Sequence, residues 1–230
     1  LYKLLRKNPE SVFLVVCPVA VIATWKRELK KFGLGKLKPV VCDSIFPASN
    51  VRKVNGKKKS VFSRADMIAA AMCVPGTVII TTYDTFSDNK YDTWKTILEQ
   101  EETFEEIFLD ESTKIKSTDS ARFVGINKLR PKSKCRRVLS GFPVPQSPAD
   151  FVGQLAFLSP LYTGYRSRGT FERENANDLI TFNGAVKANT RTTWRNTDRL
   201  KKYLKICADY ISTEDSKEKL PELIEKTIYV

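Results

Sequence analysis

Apolar runs of strand length alternate with helix-like patterns through the first part of the chain, and this alternation limits the possible folds more than any other feature. The strand-like runs lie at residues 11–18, 37–43, 75–84, 104–111 and 134–141. The helix-like segments lie at residues 19–32, 63–73, 93–101 and 119–129. Strands that alternate with helices indicate βαβ units and a mainly parallel sheet. Continuously apolar runs indicate that helices cover both faces of that sheet.

The remaining segments carry weaker patterns. Residues 44–60 are polar and basic and contain Pro47 and Gly56, so we expect a loop there. No clear strand pattern occurs in residues 161–197, where aromatic and cationic residues are interleaved. That interleaving suits contacts to nucleic acid, but a helical subdomain with inward-facing aromatics is the favoured interpretation. Residues 197–211 predict an amphipathic helix. Its apolar face consists of Leu200, Leu204, Ala208 and Ile211.

The charge of the chain is strongly positive. It has 39 Lys and Arg residues against 26 Asp and Glu residues, which gives a net charge of +13 and a pI near 9.5. The cations cluster in the stretches KRELKKFGLGKLK, RKVNGKKK, RPKSKCRR and RTTWRNTDRLKKYLK. Clustering of this kind favours a polyanionic partner, with nucleic acid as the first candidate. A basic surface that serves only solubility is the alternative.

The cysteine and histidine content excludes several kinds of site. The sequence has no histidine, and its five cysteines are far apart, so we expect neither a zinc site nor histidine-based catalysis. Cys17, Cys42 and Cys135 lie in or beside strand-like runs, and we interpret them as small core residues of a reduced, intracellular protein. No apolar run reaches the roughly eighteen residues that a membrane-spanning helix needs, so we expect no membrane partner.

Four of the strand-like runs have polar endings. The pairs and triplets concerned are Cys17 and Pro18, then Thr81, Thr82 and Tyr83, then Asp110 and Glu111, then Ser140 and Gly141. Sheets of this class bind ligands beyond the carboxyl ends of their strands. Any α/β sheet has polar strand ends, so each pair alone is weak evidence.

The adjacent carboxylates Asp110 and Glu111 have two possible interpretations. A strand that continues into a solvated loop explains them without any function. Alternatively they form a Walker-B pair, in which the first carboxylate holds Mg²⁺ and the second activates a water molecule.

Taken together, the strand ends resemble the motifs of superfamily-two helicases, in particular Swi/Snf-type DNA translocases. VVCPVAVIATWKRELKKF resembles their motif Ia, and VIITTYDTF resembles their ITTYE segment. FLDESTKIKS resembles the DEAHRIKN box, and RRVLSGFPVPQSPADFVGQLAFLSP resembles RLLLTGTPIQNNLEELWSLLDFLDP. The terminal LPELIEKTIYV resembles LPPKTEYVV. These matches span almost the whole chain in the family's order, and the DEST variant of the box suggests a phage or viral branch.

The resemblance implies a RecA-like α/β fold of the P-loop NTPase type, with a mainly parallel sheet flanked by helices and a helical C-terminal extension. Residues 1–160 would form the first ATP-binding lobe and residues 161–222 its helical extension. Residues 223–230 would begin the connection to a second RecA-like lobe. The family's GxGKT phosphate loop is absent, so we expect the chain to start after it and to be inactive on its own.

The resemblance also assigns roles to single residues. Asp110 would bind the Mg²⁺ of Mg-ATP and Glu111 would act on the attacking water, which makes both catalytic and cofactor-binding, with Ser140 also at the cofactor. Thr113, Ser140, Gly141 and Phe142 would couple nucleotide state to DNA grip, although Thr113 and Phe142 depart from the family's His and Thr. The residues along the DNA track would be Pro18, Thr24, Trp25, Lys26, Thr81, Thr82 and Tyr83.

The function expected from the sequence is that of the first motor lobe of an ATP-dependent DNA translocase or helicase. Its cofactors would be ATP and Mg²⁺, and its partner would be DNA, duplex before single strand, with RNA left open. The expected location is intracellular, the cytoplasm of a bacterium or phage-infected host before the nucleus. The alternative is a non-catalytic nucleic-acid-binding domain on a degenerate RecA-like fold.

Overall fold

Five parallel strands form the central sheet. The computed structural model describes residues 8–32, 38–42, 51–54, 57–60, 64–87, 93–165, 167–182 and 185–209. In chain order the strands are β1 (Phe13–Cys17), β2 (Lys38–Cys42), β3 (Val51–Val54), β4 (Lys57–Ser60), β5 (Thr77–Thr82), β6 (Phe104–Leu109), β7 (Ser133–Val138), β8 (Leu179–Phe182) and β9 (Ala185–Ala188). The central sheet has the order β2-β5-β1-β6-β7, and every neighbouring pair in it is parallel. All five strand-like runs are therefore confirmed as strands of one sheet.

Helices connect these strands, as the alternation predicts. The described α-helices are α1 (Ile22–Lys31), α2 (Arg64–Met72), α3 (Asp84–Ser87), α4 (Thr93–Leu98), α5 (Ala121–Asn127), α6 (Asp150–Leu158), α7 (Pro160–Thr163), α8 (Arg168–Asn175) and α9 (Asp198–Cys207). Short 3-10 helices occupy Val19–Val21, Ser112–Ile115 and Arg130–Lys132. None of the helices in the described ranges is long and apolar enough to cross a membrane.

Both faces of the sheet are covered at its centre, which is why the central strand β1 is apolar throughout. All five residues of β1 are fully buried. Leu14 and Val16 pack in the larger core, to which α2 to α6 contribute side chains. Phe13 and Val15 point the other way and pack with Ile22 and Leu29 of α1. This architecture is the expected RecA-like α/β fold.

The edge strand β7 corrects one prediction. Cys135 is exposed rather than part of the core, whereas Cys17 and Cys42 are buried as expected. On the α1 side of the sheet, β7 carries Arg137, which pairs with the buried Glu106 of β6 over 2.5 Å. A charged pair thus takes the place of apolar packing there, and Cys135 on the same edge strand stays open to solvent.

Two antiparallel hairpins lie in segments where the sequence pattern predicts no strand. Strand β3 pairs with β4, with Val54 opposite Lys57, so the expected loop at residues 44–60 is wrong for these residues. Strand β8 pairs with β9, with Phe182 opposite Ala185, so the extension is not purely helical. In both cases an Asn-Gly dipeptide separates the strands, and this dipeptide is a strong signal for a two-residue hairpin loop.

The extension, which begins at residue 161, packs around a separate hydrophobic core to which α6 also contributes. The Phe171 ring of α8 meets Tyr165 edge-on at 5.0 Å between centroids and stacks on Trp194 at 5.6 Å. These aromatics do pack inward, as favoured. Leu200 of α9 is buried and Leu204 packs against the same cluster. The prediction differs for the other two residues of the apolar face. Ala208 is exposed beyond the end of α9, and Ile211 lies outside the described residues.

Candidate active site

The acid pair lies at the carboxyl end of β6, beside the central strand. The backbone N–H of Asp110 donates to the Val16 carbonyl of β1 over 2.9 Å, which continues the sheet by one residue. The next residue, Glu111, leaves the strand in the left-handed conformation, with φ 51° and ψ 52°. A non-glycine residue in this conformation is uncommon and marks a sharp change of direction. The chain therefore turns abruptly at the point where the two carboxylates are presented.

Hydrogen bonds fix the Asp110 carboxylate on both oxygens. The Trp25 indole N–H of α1 donates to Oδ2 over 2.7 Å, and the Glu111 backbone N–H donates to Oδ1 over 3.0 Å. The Tyr83 hydroxyl donates to the Asp110 backbone carbonyl over 2.7 Å. Asp110 is half-buried and Glu111 is exposed. The first carboxylate is thus held in place, while the second is open to solvent.

The groups around Asp110 stay neutral at physiological pH. Burial, and next the charge of Asp110, raise the pKa of the Cys17 thiol from 9.0 to about 12. Burial also raises the pKa of the Tyr83 hydroxyl, with further contributions from Asp110, Cys17 and Glu111. Neither side chain adds a negative charge next to the two carboxylates.

The donor set suits a magnesium ion that is shared with phosphates. Among the residues that the structure describes, no group of three or more His, Cys, Asp or Glu side chains could hold a metal alone. Mg²⁺ is commonly bound through one or two carboxylates, with water and substrate phosphates as the other ligands. Asp110 and Glu111 offer such oxygen ligands, and because Asp110 is half-buried and Glu111 is exposed, a phosphate group can approach them.

The strand end at β7 leads into a loop that lies close to the acid pair. The Ser112 N–H donates to the Leu139 carbonyl over 2.9 Å, so this loop begins next to the turn at Glu111. Ser140 is half-buried, and its Oγ accepts from the Phe142 N–H over 3.2 Å. Phe142 is 68% exposed, so its ring is available to another surface.

Two further residues predicted to couple nucleotide and DNA have different surroundings. Around Gly141 no atom lies within 4 Å of an added Cβ, so packing does not require glycine there. Thr113 is half-buried in the 3-10 helix that follows Glu111. It therefore lies on the same turn as the acid pair.

The acid pair and the 3-10 helix that follows it, residues 110–115, are called the acid turn below. A buried glutamine of α6, Gln154, joins this acid turn to the loop after β7, and the sequence motifs do not identify it. The Ser112 hydroxyl donates to Gln154 Oε1 over 2.7 Å, and Gln154 Nε2 donates to the Pro143 carbonyl over 2.8 Å. Ser112 and Gln154 are 0% and 2% exposed. The sequence contains a signal for this link, since Gln154 is a single uncharged polar residue within the apolar run of α6.

Asp150 of α6 is a second buried polar residue that the sequence motifs do not identify. Its fully buried carboxylate accepts from Arg168 Nη1 at 2.6 Å and from the Gln146 N–H at 3.0 Å, and Lys116 Nζ lies 3.8 Å away. Burial alone would lower the Arg168 pKa, but hydrogen bonds to Glu172 and Asp150 raise it overall. A buried carboxylate needs such partners. Asp150 thereby links the extension, the segment after the acid pair and the loop after β7.

The residues expected along a DNA track fall into two groups. Pro18 is half-buried, and Thr24 and Lys26 are exposed on the first turns of α1. The others are turned inward and already bonded, and this inward group consists of Trp25, Thr81, Thr82 and Tyr83. The structure thus brings Trp25 and Tyr83 to the acid pair rather than to the surface.

The two threonines of the inward group are part of the sheet interior. Thr81 is fully buried, and its hydroxyl donates to the Cys42 carbonyl over 2.6 Å and lies 2.8 Å from Thr85 Oγ1. Thr82 is 4% exposed and lies 3.4 Å from the same Thr85 hydroxyl. Their hydroxyl groups therefore serve the junction of β5 and α3.

Comparisons with known proteins complete the description of the site. No curated protein matches the chain. Among solved structures, the chain is similar to the Sulfolobus solfataricus SWI2/SNF2 ATPase core in complex with dsDNA, with 25% identity and a TM-score of 0.49. The match covers 75% of this chain and 30% of that one, so this chain spans under a third of that structure's length. The family model of the SNF2-related domain matches residues 2–230. The chain therefore belongs to the SNF2-related domain family.

Proposed function

We propose that the chain is the first motor lobe of an ATP-dependent DNA translocase or helicase, which works with a second RecA-like lobe of the same protein. The observation that carries the proposal is the acid pair, Asp110 and Glu111, at the carboxyl end of a central strand. One carboxylate is fixed by Trp25 and its neighbour Glu111 is open to solvent. Membership of the SNF2-related domain family supports the same function.

Each carboxylate has a distinct role in this proposal. Asp110 holds Mg²⁺, because its oxygens are fixed by N–H donors and each keeps a further lone pair. Bound with ATP, Mg²⁺ supplies the positive charge that offsets the carboxylates and the phosphates. Glu111 orients and deprotonates the attacking water from its exposed position. Ser140 contacts the nucleotide from the loop after β7.

DNA contacts are proposed for the exposed side of α1. Lys26, Arg27, Lys30 and Lys31 are exposed on this helix, next to Thr24. Cations and hydroxyls of this kind bind phosphates and carry little sequence information. Duplex DNA is the favoured partner. Trp25 and Tyr83 would not contact DNA themselves. They would connect this surface to the acid pair through their hydrogen bonds to Asp110.

The decisive experiment compares the complete protein with its Glu111→Gln variant in an ATPase assay, with and without duplex DNA. We expect the variant to bind Mg-ATP but to turn over about 10²–10⁴-fold more slowly, as is typical for loss of a general base. Glu99→Gln, at an exposed carboxylate beyond α4, is the matched control. Wild-type turnover in Glu111→Gln would remove Glu111 from the mechanism.

The same assay tests the alternative of a non-catalytic binding domain. A complete protein that binds DNA but never hydrolyses ATP would favour that alternative. The 230 residues by themselves are expected to be inactive, because their sequence contains no GxGKT phosphate loop.

A further inference from the structure

We propose that Gln154 is a positioning residue, which transmits movements of the loop after β7 to Glu111 through Ser112. This inference rests on the proposed ATPase function and adds to it the route by which DNA stimulates hydrolysis. The route is a chain of two hydrogen bonds: Ser112 Oγ donates to Gln154 Oε1 over 2.7 Å, and Gln154 Nε2 donates to the Pro143 carbonyl over 2.8 Å.

The orientation of Glu111 depends on its neighbour Ser112. Glu111 is in the left-handed conformation, which an L-residue keeps only when its surroundings hold it there. Ser112 supplies two of the fixing contacts, its N–H to the Leu139 carbonyl and its hydroxyl to Gln154. A displacement of Ser112 would therefore change the direction in which the Glu111 carboxylate points.

Helix α6 gives Gln154 a rigid base from which to act. The amide also donates to the Asp150 carbonyl one turn earlier over 2.9 Å, so its oxygen and nitrogen are both in use. At the adjacent Gly153 the helix backbone touches the acid turn, because an added Cβ would lie 2.0 Å from the Ile115 carbonyl oxygen. The helix and the acid turn are in direct contact, and the loop is attached to both through Gln154.

In this proposal the loop after β7 is the part that moves, because its exposed groups are accessible to DNA or to a second lobe. Its residue Phe142 is 68% exposed, and the loop also carries Ser140 and Gly141. A DNA or second-lobe contact that shifts this loop would move the Pro143 carbonyl. The Ser112–Gln154 hydrogen bond is buried and Pro143 is half-buried, so a shift of the Pro143 carbonyl acts on Gln154 and through it on Ser112.

The test uses three variants of the complete protein: Ser112→Ala, Gln154→Leu and the double variant. Ser112→Ala leaves the Gln154 amide oxygen without its donor, and Gln154→Leu leaves both the Ser112 hydroxyl and the Pro143 carbonyl without their partner, so both should lower the melting temperature. The double change replaces both members of the Ser112–Gln154 pair by apolar groups, so the double variant should be less destabilised than the two single losses added together, although the Pro143 carbonyl still lacks its donor. The ratio of DNA-stimulated to basal kcat should nevertheless fall about tenfold in all three, with KM for ATP unchanged. Because the two residues act in one path, the double effect should not exceed the single ones.

Gln100→Leu is the matched control, since Gln100 also donates to a carbonyl one turn earlier but lies at the other end of the sheet. It should keep the wild-type stimulation ratio. A folded Ser112→Ala variant, or a stable double variant, with the wild-type ratio would show that the link is only structural and would overturn the inference. Ser112→Ala adds no volume and is expected to fold. A wild-type protein that never hydrolyses ATP would instead refute the proposed function, and with it this route.

Discussion

The Trp25 indole N–H donates to Oδ2 of Asp110 over 2.7 Å, so helix α1 is bonded directly to the acid pair. The residues on either side of Trp25, Thr24 and Lys26, face solvent. One helical turn thus carries both the proposed DNA surface and a hydrogen-bond donor to the proposed metal-binding carboxylate. A shift of this turn on DNA binding would therefore move the Trp25 indole and change its hydrogen bond to Asp110 directly.

Replacing Trp25 with Phe tests this bond. The ring would still pack on the α1 side of the sheet, where Trp25 lies against the core, but Oδ2 of Asp110 would lose its donor. Loss of a residue that orients a metal ligand typically costs about 10–100-fold in metal affinity or activity, so the Mg²⁺ dependence of ATP hydrolysis should shift to higher concentration by that order. Trp194→Phe, within the core of the extension, is the control. An unchanged Mg²⁺ requirement would contradict the assigned role.

The raised pKa of Cys17 predicts a loss of stability at high pH. The native thiol keeps its proton up to a pKa of about 12, whereas the unfolded thiol releases it near 9.0. The corresponding stability is fully present below pH 9 and is lost as the pH rises towards 12. In urea unfolding up to about pH 10.5, Cys17→Ala should show a decline shallower by up to about 1.4 kcal/mol per pH unit. Cys135→Ala, at an exposed position, should decline like the wild type, and a parallel decline in Cys17→Ala would refute the assignment.

Lys26 on α1 should contribute to DNA binding through phosphate. If Lys26→Ala removes one phosphate contact, the slope of log K against log salt on duplex DNA should become shallower by about 0.9. Binding should weaken equally on unrelated sequences, because a phosphate contact reads no bases. Lys95→Ala, exposed on α4, is the control. Fluorescence anisotropy over a salt series measures both quantities, and an unchanged slope for Lys26→Ala would move the DNA path away from α1.

The hairpin of β3 and β4 is expected to add to the DNA surface. Its register places Arg52 opposite Lys59 and Lys53 opposite Lys58, and no acidic residue occurs in the segment 44–62. Like charges opposite each other destabilise a strand pair, so a polyanion should favour this hairpin. Replacing Lys57, Lys58 and Lys59 together with Ala should reduce the salt slope by up to about 2.7, which is about 0.9 for each phosphate that a lysine neutralises. A slope equal to that of the wild type would mean that these lysines are merely solvated.

The centre of the sheet could be predicted from the sequence because β1 and β5 are short runs of buried, mainly apolar residues. Two hairpins were missed although Asn55-Gly56 and Asn183-Gly184 mark them, since basic and mixed residues around each dipeptide concealed the strand pattern. The position of Asp110 and Glu111 at the end of a buried strand could be predicted from the sequence. Their partners could not, because Trp25 is 85 residues away from Asp110 in the sequence and only the sheet order brings them together.

The two threonines that end β5, Thr81 and Thr82, show a different limit of sequence reasoning. Thr81 lies opposite Val16 of β1 and Cys42 of β2 in the sheet register, so it occupies an interior strand with neighbours on both sides. A polar residue at a strand end suggests exposure, but the length of the flanking strands decides whether the end is covered. In this fold the carboxyl end of β5 is covered, and the Thr81 hydroxyl bonds to a backbone carbonyl.

Helix α6 contributes to two hydrophobic cores at once, and this makes the sheet and the extension cooperative in unfolding. Its Phe157 packs with the sheet, whereas Val152 and Leu155 pack with Phe171 of the extension. A truncation after residue 160 would uncover Val152 and Leu155 and would leave the Asp150 carboxylate without Arg168. We therefore expect the lobe and the extension to melt in a single transition.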